Sequence, residues 1–290
     1  FFTFPLAPST GSTGFFYNVG ATRNTGIELQ LSADAVRTQN FNWNLRLNLA
    51  NNRNQIIALR DGQDSIVGGG TILAKGHAIN SWYMPEYAGV NNQGQATWYK
   101  ADGSVTSDYT SLVTEDYKMF GSSFRPIEGS ITSSWRYKNF DLSVLVQFGL
   151  GGKFYDQTYA GLMGGGPDRI GNAIHEDMLN TWKQPGDENN PDVVPAFSYG
   201  SAGIDAARLS SRFLVSNSFV NIKNINLGYN FNPEAIKRAG FTNLRIYAAS
   251  DNIFQRAARI GIDPNTAFFG VSSYNYFPYR TFVVGVNVGL

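Results

Sequence analysis

The chain has 290 residues, a formal net charge of +1, only 16% charged residues, 14% aromatics and 31 glycines. The near-neutral balance leaves no electrostatic footprint for a nucleic-acid partner. The lack of cysteine excludes disulfide frameworks, thiolate metal sites and cysteine nucleophiles.

No apolar run of about 18 residues exists, so no transmembrane helix is expected. The opening FFTFPLAPST has no initiator methionine and no basic region before an apolar core. No signal peptide is therefore expected, and the chain reads as mature or as the downstream part of a longer one.

Taken in chain order, the strongest patterns alternate with a period of two, the period of side chains on a β-strand. From Gly26 to Val36, Ile27, Leu29, Leu31, Ala33 and Ala35 oppose Glu28, Gln30, Ser32 and Asp34. After a short connection, Phe41 to Ala50 sets Phe41, Trp43, Leu45, Leu47 and Leu49 against Asn42, Asn44, Arg46 and Asn48.

A second pair is predicted over Gly129 to Tyr137 and Phe140 to Leu150, joined by Lys138-Asn139 as a tight hairpin. A third pair is predicted over Phe219 to Phe231 and Asn243 to Phe254. Between these two, Asn232, Pro233 and Gly240 bracket one short helix with a cap, a first-position proline and a terminating glycine. The last strand runs from Thr281 to Leu290.

Short connections alternate with long ones at Asn51 to Glu128, Gly151 to Ser218 and Asp251 to Arg280. Short turns on one side and long loops on the other mark a transmembrane β-barrel. The apolar face then meets lipid and the amide-rich face meets the lumen. Aromatics beside the short turns (Phe41, Trp43, Tyr137, Phe140, Tyr229, Phe231) fit an interfacial girdle. The rival architecture is a soluble carbohydrate-binding β-sandwich, which alternates in the same way. Its surface would carry more lysine and glutamate than the Asn, Ser, Gln and Gly seen here.

Seven predicted strands are an odd number, whereas bacterial barrels usually have an even one. The expectation is that residues 1–290 form the C-terminal part of a larger barrel.

Specific stretches then carry a resemblance. They are Asn18-Val19-Gly20 with Arg23 to Leu29, Phe41 to Asn54, and Ser210-Ser211-Arg212-Phe213-Leu214 leading into Ser218 to Tyr229. Arg245-Ile246-Tyr247, Asp251-Asn252-Ile253-Phe254, Gly261-Ile262-Asp263-Pro264 and Phe277-Pro278-Tyr279-Arg280-Thr281 with Gly285 to Val288 complete it. The chain resembles the C-terminal barrel region of the SusC/RagA-like TonB-dependent outer-membrane transporters of Bacteroidota. Asn265 stands where that family often has Glu, and Leu290 where an aromatic is usual.

The resemblance implies an all-β, transmembrane antiparallel barrel of about 22 strands, plugged by an N-terminal domain absent here. It implies outer-membrane import of oligosaccharide or oligopeptide together with a SusD-like surface lipoprotein, and TonB acting through the missing N-terminal part. No nucleophile–base–acid constellation is visible in the sequence, so no enzyme activity is expected, and no cofactor is assigned. A non-transporting barrel subunit acting as a scaffold in a surface complex is the alternative within the same fold.

Other motifs are weak. His175-Glu176-Asp177-Met178-Leu179 begins like a zinc-protease motif but lacks the second histidine. Gly68-Gly69-Gly70 and Gly164-Gly165-Gly166-Pro167 lack the Lys-Ser/Thr of a phosphate loop and read as flexible turns. Asp61-Gly62-Gln63-Asp64 and Asp187 to Asp192 are oxygen-rich without EF-hand spacing, so no metal is assigned.

Trp82, Tyr83, Tyr87, Trp98 and Tyr99 in the first long loop are the candidates for contact with substrate or lipoprotein. The competing reading is that they pack the loops together. Arg46, Arg136 and Arg245 are the lumen-facing candidates, for substrate or for salt bridges to plug or neighbouring strands.

Overall fold

The computed structural model describes residues 2–5, 8–11, 14–17, 20–167, 171–266, 269–272, 274 and 276–290, excepting the side chains of 2–5, 8, 14–17 and 61. Asn18 and Val19 of the resemblance lie outside the described residues.

The main element is a seven-stranded antiparallel sheet in which each strand pairs with its neighbours in sequence. We label its strands β1 (Gly20–Arg37), β2 (Phe41–Leu59), β3 (Ile127–Tyr137), β4 (Phe140–Leu150), β5 (Phe219–Asn230), β6 (Asn243–Arg256) and β7 (Thr281–Gly289). β1 and β7 are its edges. Among the described residues no second sheet covers it face to face as a sandwich requires, and the smaller sheets are built from the long connections.

The alternation is realised residue by residue. Leu47 pairs with Leu31 on one side and Ile131 on the other, and Ile131 pairs onward with Val146. Directly paired residues share a face, so the apolar rows of the strands merge into one surface. That face is open: Leu31 is 52% exposed and Val284 79%. A soluble protein avoids a continuous exposed apolar surface of this kind, whereas lipid requires it.

The eleven residues of β3, at about 3.3 Å each and tilted about 45°, span roughly 25 Å, the height of a lipid-facing band. At its turn end Trp43 stacks on Trp135 with centroids 6.4 Å apart, and Phe140 meets Tyr229 edge-on at 4.8 Å. The Trp43 indole N–H, which lipid would leave unpaired, donates to Ser133 Oγ at 2.9 Å.

Two predicted strands are longer than their apolar stripes: β1 has 18 residues and β2 has 19, against the expected Gly26 to Val36 and Phe41 to Ala50. Backbone pairing continues above the lipid band because it does not depend on which side chains flank it. Asn24 and Asn54 sit in that extension, with Asn54 Nδ2 donating a 2.6 Å hydrogen bond to Asn24 Oδ1. A register shift between Asp34 and Val36 adds one residue to β1, so that Val36 also faces Trp43.

The short helix forms at Pro233–Lys237, with Asn232 Oδ1 accepting from the Glu234 N–H. Among the described residues no helix is long and apolar enough to cross a membrane, which says nothing of a barrel.

Most of the buried core lies outside the sheet. Trp82, Met84, Tyr155, Tyr159, Met163, Met178 and Phe213 form one cluster built from the long connections. These loops fold as a packed layer with its own small sheets. One joins Ser65–Gly68, Thr71–Ala74, Ser81–Pro85 and Tyr117–Ser122.

The glycine runs read as flexible turns take defined places in this layer. Gly69 and Gly70, at φ 59° and 84°, make the tight hairpin turn after Gly68. The Gly165 and Gly166 N–H groups donate to Gly203 O and Ser198 O inside the layer.

Candidate functional site: a polar inner face under a loop layer

The face opposite the lipid band is lined by amides, hydroxyls and paired charges. Asn44 Nδ2 donates to Asp34 Oδ1 at 2.9 Å, Asn224 Nδ2 to Asp251 Oδ1 at 2.7 Å, and Asn230 Nδ2 to Asp141 Oδ1 at 2.6 Å. Each bond ties neighbouring strands through side chains as well as backbone.

Arg245 is the most connected of the three lumen-facing arginines. It bonds Asp141 through both Nε and Nη2, and Asn226 Oδ1 at 2.8 Å. It reaches Asp141 by lying across Gly228, where any Cβ would collide with the guanidinium. Arg136 is register-paired with Asp141 and Asn42 on the same face. Arg46 lies between Ser32 and Thr132, and is exposed with no ion-pair partner among the described residues. The three arginines therefore share the inner face. Asp141 pairs with Arg245 in a salt bridge and stands opposite Arg136.

Where this face meets the loop layer, Arg125 joins three segments. Its guanidinium bonds Glu128 on β3, Asn217 Oδ1 at 3.2 Å at the root of β5, and Pro264 O at 3.2 Å in the last connection. It also lies 5.1 Å from the Phe219 ring. A cavity of about 400 Å³ opens beside it, lined by Asn24, Asn52, Asn54, Glu128, Asn217 and Asn265 among others. Its lining offers hydrogen-bond donors and acceptors, the chemistry that holds a polar chain by its hydroxyls or amides.

The aromatic candidates divide by burial. Trp82 and Trp98 are only 2% and 1% exposed. Trp82 packs against Tyr155 and donates its indole N–H to Lys153 O at 3.0 Å. Trp98 meets Tyr109 edge-on at 5.1 Å. Burial pushes the Tyr155 phenol up to about 12 and raises that of Tyr109 further. Tyr83 is tied down by a 2.9 Å bond to Thr114 O, and Tyr87 lies under the Arg212 guanidinium. Tyr99 is the most open of the five, at 37%, with the Lys118 ammonium 5.5 Å from its ring centre.

Arg125, Arg212 and the Arg259–Tyr159 stack, 3.3 Å from ring centre to guanidinium, were not legible as functional in the sequence. Arg212 belongs to a quoted motif, but nothing in that motif says that it lies half-buried over the Tyr87 and Phe213 rings.

The remaining motifs resolve locally. His175 Nδ1 accepts from the Asp177 N–H. The carboxylates of Asp187 and Glu188 accept from Lys183, Gln184 and Gly186 N–H groups and from the Trp182 indole. The Asp61 side chain lies outside the described residues.

No family model matches the sequence. Curated proteins do: the chain is 26% identical over 98% of its length to TonB-dependent receptor P3 of Formosa agariphila. It is 24% identical over 93% of its length to TonB-dependent receptor SusC of Bacteroides thetaiotaomicron. Its homologues are TonB-dependent receptors.

The chain spans 30% of the first of these receptors and 27% of the second. Among solved structures it superposes on the RagAB peptide transporter with a TM-score of 0.81 at 24% identity, covering 98% of this chain and 31% of that one. It matches the RagAB peptide importer in the 'open-open' state with a TM-score of 0.80 at 23% identity, covering 100% of this chain and 31% of that one. The fold is thus that of part of a TonB-dependent receptor barrel. The matching proteins are named as receptors and transporters, not enzymes. Such receptors reside in the outer membrane of Bacteroidota, and the exposed apolar band described above is the surface that location demands.

Proposed function

We propose that residues 1–290 are the C-terminal part of a plugged outer-membrane importer, with the plug and earlier strands lying upstream. The importer takes up large nutrients, an oligosaccharide or an oligopeptide. It works with a SusD-like surface lipoprotein docked on the loop layer and with TonB acting through the upstream part. Arg46, Arg136 and Arg245 line its path, and Tyr83, Tyr87 and Tyr99 lie in the loop layer that meets substrate or lipoprotein.

One observation carries this reading. The sheet has a lipid face and a hydrogen-bonding inner face, yet among the described residues no strand pairs with either of its edges. In hydrocarbon, unpaired strand edges survive only when a barrel closes them. The names of the homologues support the transport role.

The test compares cells lacking the full receptor with complemented cells. Uptake of fluorescent oligopeptide and oligosaccharide pools is followed with and without a protonophore. Energy-dependent uptake of one pool that vanishes in the deletion is the expected result. Unchanged uptake of both pools, with the complemented protein correctly in the outer membrane, would overturn the importer reading and leave a scaffold subunit.

A further inference from the structure

Charge is distributed unevenly between the two faces of the sheet. By strand register, the inner face carries Glu28, Asp34, Arg37, Arg46, Glu128, Arg136, Asp141, Arg245 and Asp251. Among the described residues the outer face carries only Arg23, Arg53 and Arg256, apart from Lys223 at a bulge, whose ammonium is bonded to Asn252. Every outward charge on the regular ladder is therefore a guanidinium.

Arg23 and Arg53 lie at the loop end, above the apolar stripe of their own strands, whereas Arg256 pairs with Val220 in the row of Phe148 and Gly129, one outward position below Ile127. The apolar stripe ends at the row of Ile27, Asn51 and Ile127, with the small Ala21 and Ala58 paired farther up. Arg53, paired with Thr25, is the next outward position, and Arg23, paired with Gln55, the one beyond. At about 3.3 Å per residue and a tilt of about 45°, these stand roughly 5 Å and 9 Å above that row. A bilayer's headgroup region begins at that height and is of comparable depth.

Arg23 and Arg53 are exposed, and neither has an ion-pair partner among the described residues. They sit on adjacent strands, two residues apart in register, close enough to grip one tetrahedral anion between two planar forks. Thr25, Asn51 and Gln55 on the same face supply neutral hydrogen-bonding groups around them. Arg256 lies four strands from β2 and cannot join them.

We propose that Arg23 and Arg53 form a binding site for the phosphate of an outer-leaflet lipid headgroup. The surface is continuous with the lipid-facing band, so the occupant arrives already anchored by its acyl chains. Among the described residues no carboxylate shares the outward face with them, Glu128, which lines a cavity with Arg53, being on the inner face by register. It orients the receptor at the outer interface as the aromatic girdle does at the turn end. The inference rests on the lipid-facing assignment and is independent of what the receptor transports.

The test uses the detergent-extracted receptor that carries this chain, reconstituted in phosphatidylcholine nanodiscs doped with phosphatidic acid. Phosphatidic acid retained after release into detergent is read by native mass spectrometry. Arg23→Gln with Arg53→Gln should lower retention about thirty-fold, taking the contribution expected of two interfacial basic side chains. Arg256→Gln should leave retention unchanged, and Arg23→Lys with Arg53→Lys should keep most of it.

Equal retention by wild type and the double Gln variant would overturn the proposal. So would displacement of the lipid by inorganic phosphate at concentrations that saturate the site without lipid, which would mark a soluble-anion site instead. If the Gln variant fails to assemble, the wild type decides alone. Retention that falls with rising ionic strength supports the site, and salt-insensitive retention overturns it.

Discussion

Arg245 on β6 spans β5 at Gly228 to reach Asp141 on β4, with Nη2 2.6 Å from Oδ2 and Nε 3.2 Å from Oδ1. Three strands are thereby clamped by one side chain, and the clamp exists only because the middle strand has no side chain at the crossing. Gly228→Val should unseat Arg245. Asp141→Ala should cost about 1–2 kcal/mol, since the pair is partly solvated and charge-assisted. The thermal midpoint of the folded, heat-modifiable barrel on gels measures both. A Gly228→Val midpoint equal to wild type would refute the clamp.

Leu45 lies in the lipid band between Ala33 and Ser133, whereas Asn44 beside it bonds Asp34 on the inner face. Leu45→Arg should cost about 2–4 kcal/mol of barrel stability and lower outer-membrane yield. Asn44→Ala should assemble normally, losing only two exposed hydrogen bonds, to Asp34 Oδ1 and Ala33 O. Equal assembly of the two variants would contradict the assignment of faces.

Asp116, in the loop layer, accepts the Ala101 N–H at 2.8 Å and the Val113 N–H at 2.9 Å, and these bonds hold its carboxyl below the usual carboxylate range. A depressed folded-state pKa stabilises the fold above the unfolded value of about 3.9, and that contribution is lost as pH falls through the folded one. Protection of the Val113 and Ala101 N–H groups, relative to their intrinsic exchange, should therefore hold down to about pH 4 and fall below it. Asp116→Asn should abolish this dependence.

Arg125 fastens the roots of three connections through Glu128, Asn217 and Pro264. Arg125→Ala should raise protease sensitivity in residues 151–218 and 257–280 together, with a local cost of about 2–3 kcal/mol for lost charged hydrogen bonds. Cleavage confined to one loop would show that the three are held separately.

Trp82→Ala should cost about 3–5 kcal/mol, as expected for emptying a buried aromatic site, and should loosen the whole loop layer. Tyr99→Ala should leave stability nearly unchanged, because the ring is 37% exposed. If Tyr99 touches substrate or lipoprotein, its loss appears in uptake or complex formation without a shift in unfolding.

The sequence by itself determined the strands, their two faces and the placement of the girdle. A strand's side-chain period is fixed by backbone geometry, so Phe41 to Leu49 shows its faces without any partner. The same rule put Arg46, Arg136 and Arg245 on one side. It did not show how far β1 and β2 rise above the lipid, because the two-faced alternation stops at Asn51 to Asn54 while backbone pairing continues through Ile56 to Leu59.

Only the tertiary structure decided the loops. Trp82 and Trp98 look alike in sequence to Tyr99, and what separates them is burial by residues far along the chain, such as Tyr155 and Phe213 for Trp82 and Ala206 for Trp98. Likewise nothing local marks Gly228 as the gap through which Arg245 meets Asp141. A contact across strands depends on register, and register is settled by the whole sheet rather than by any one of its segments.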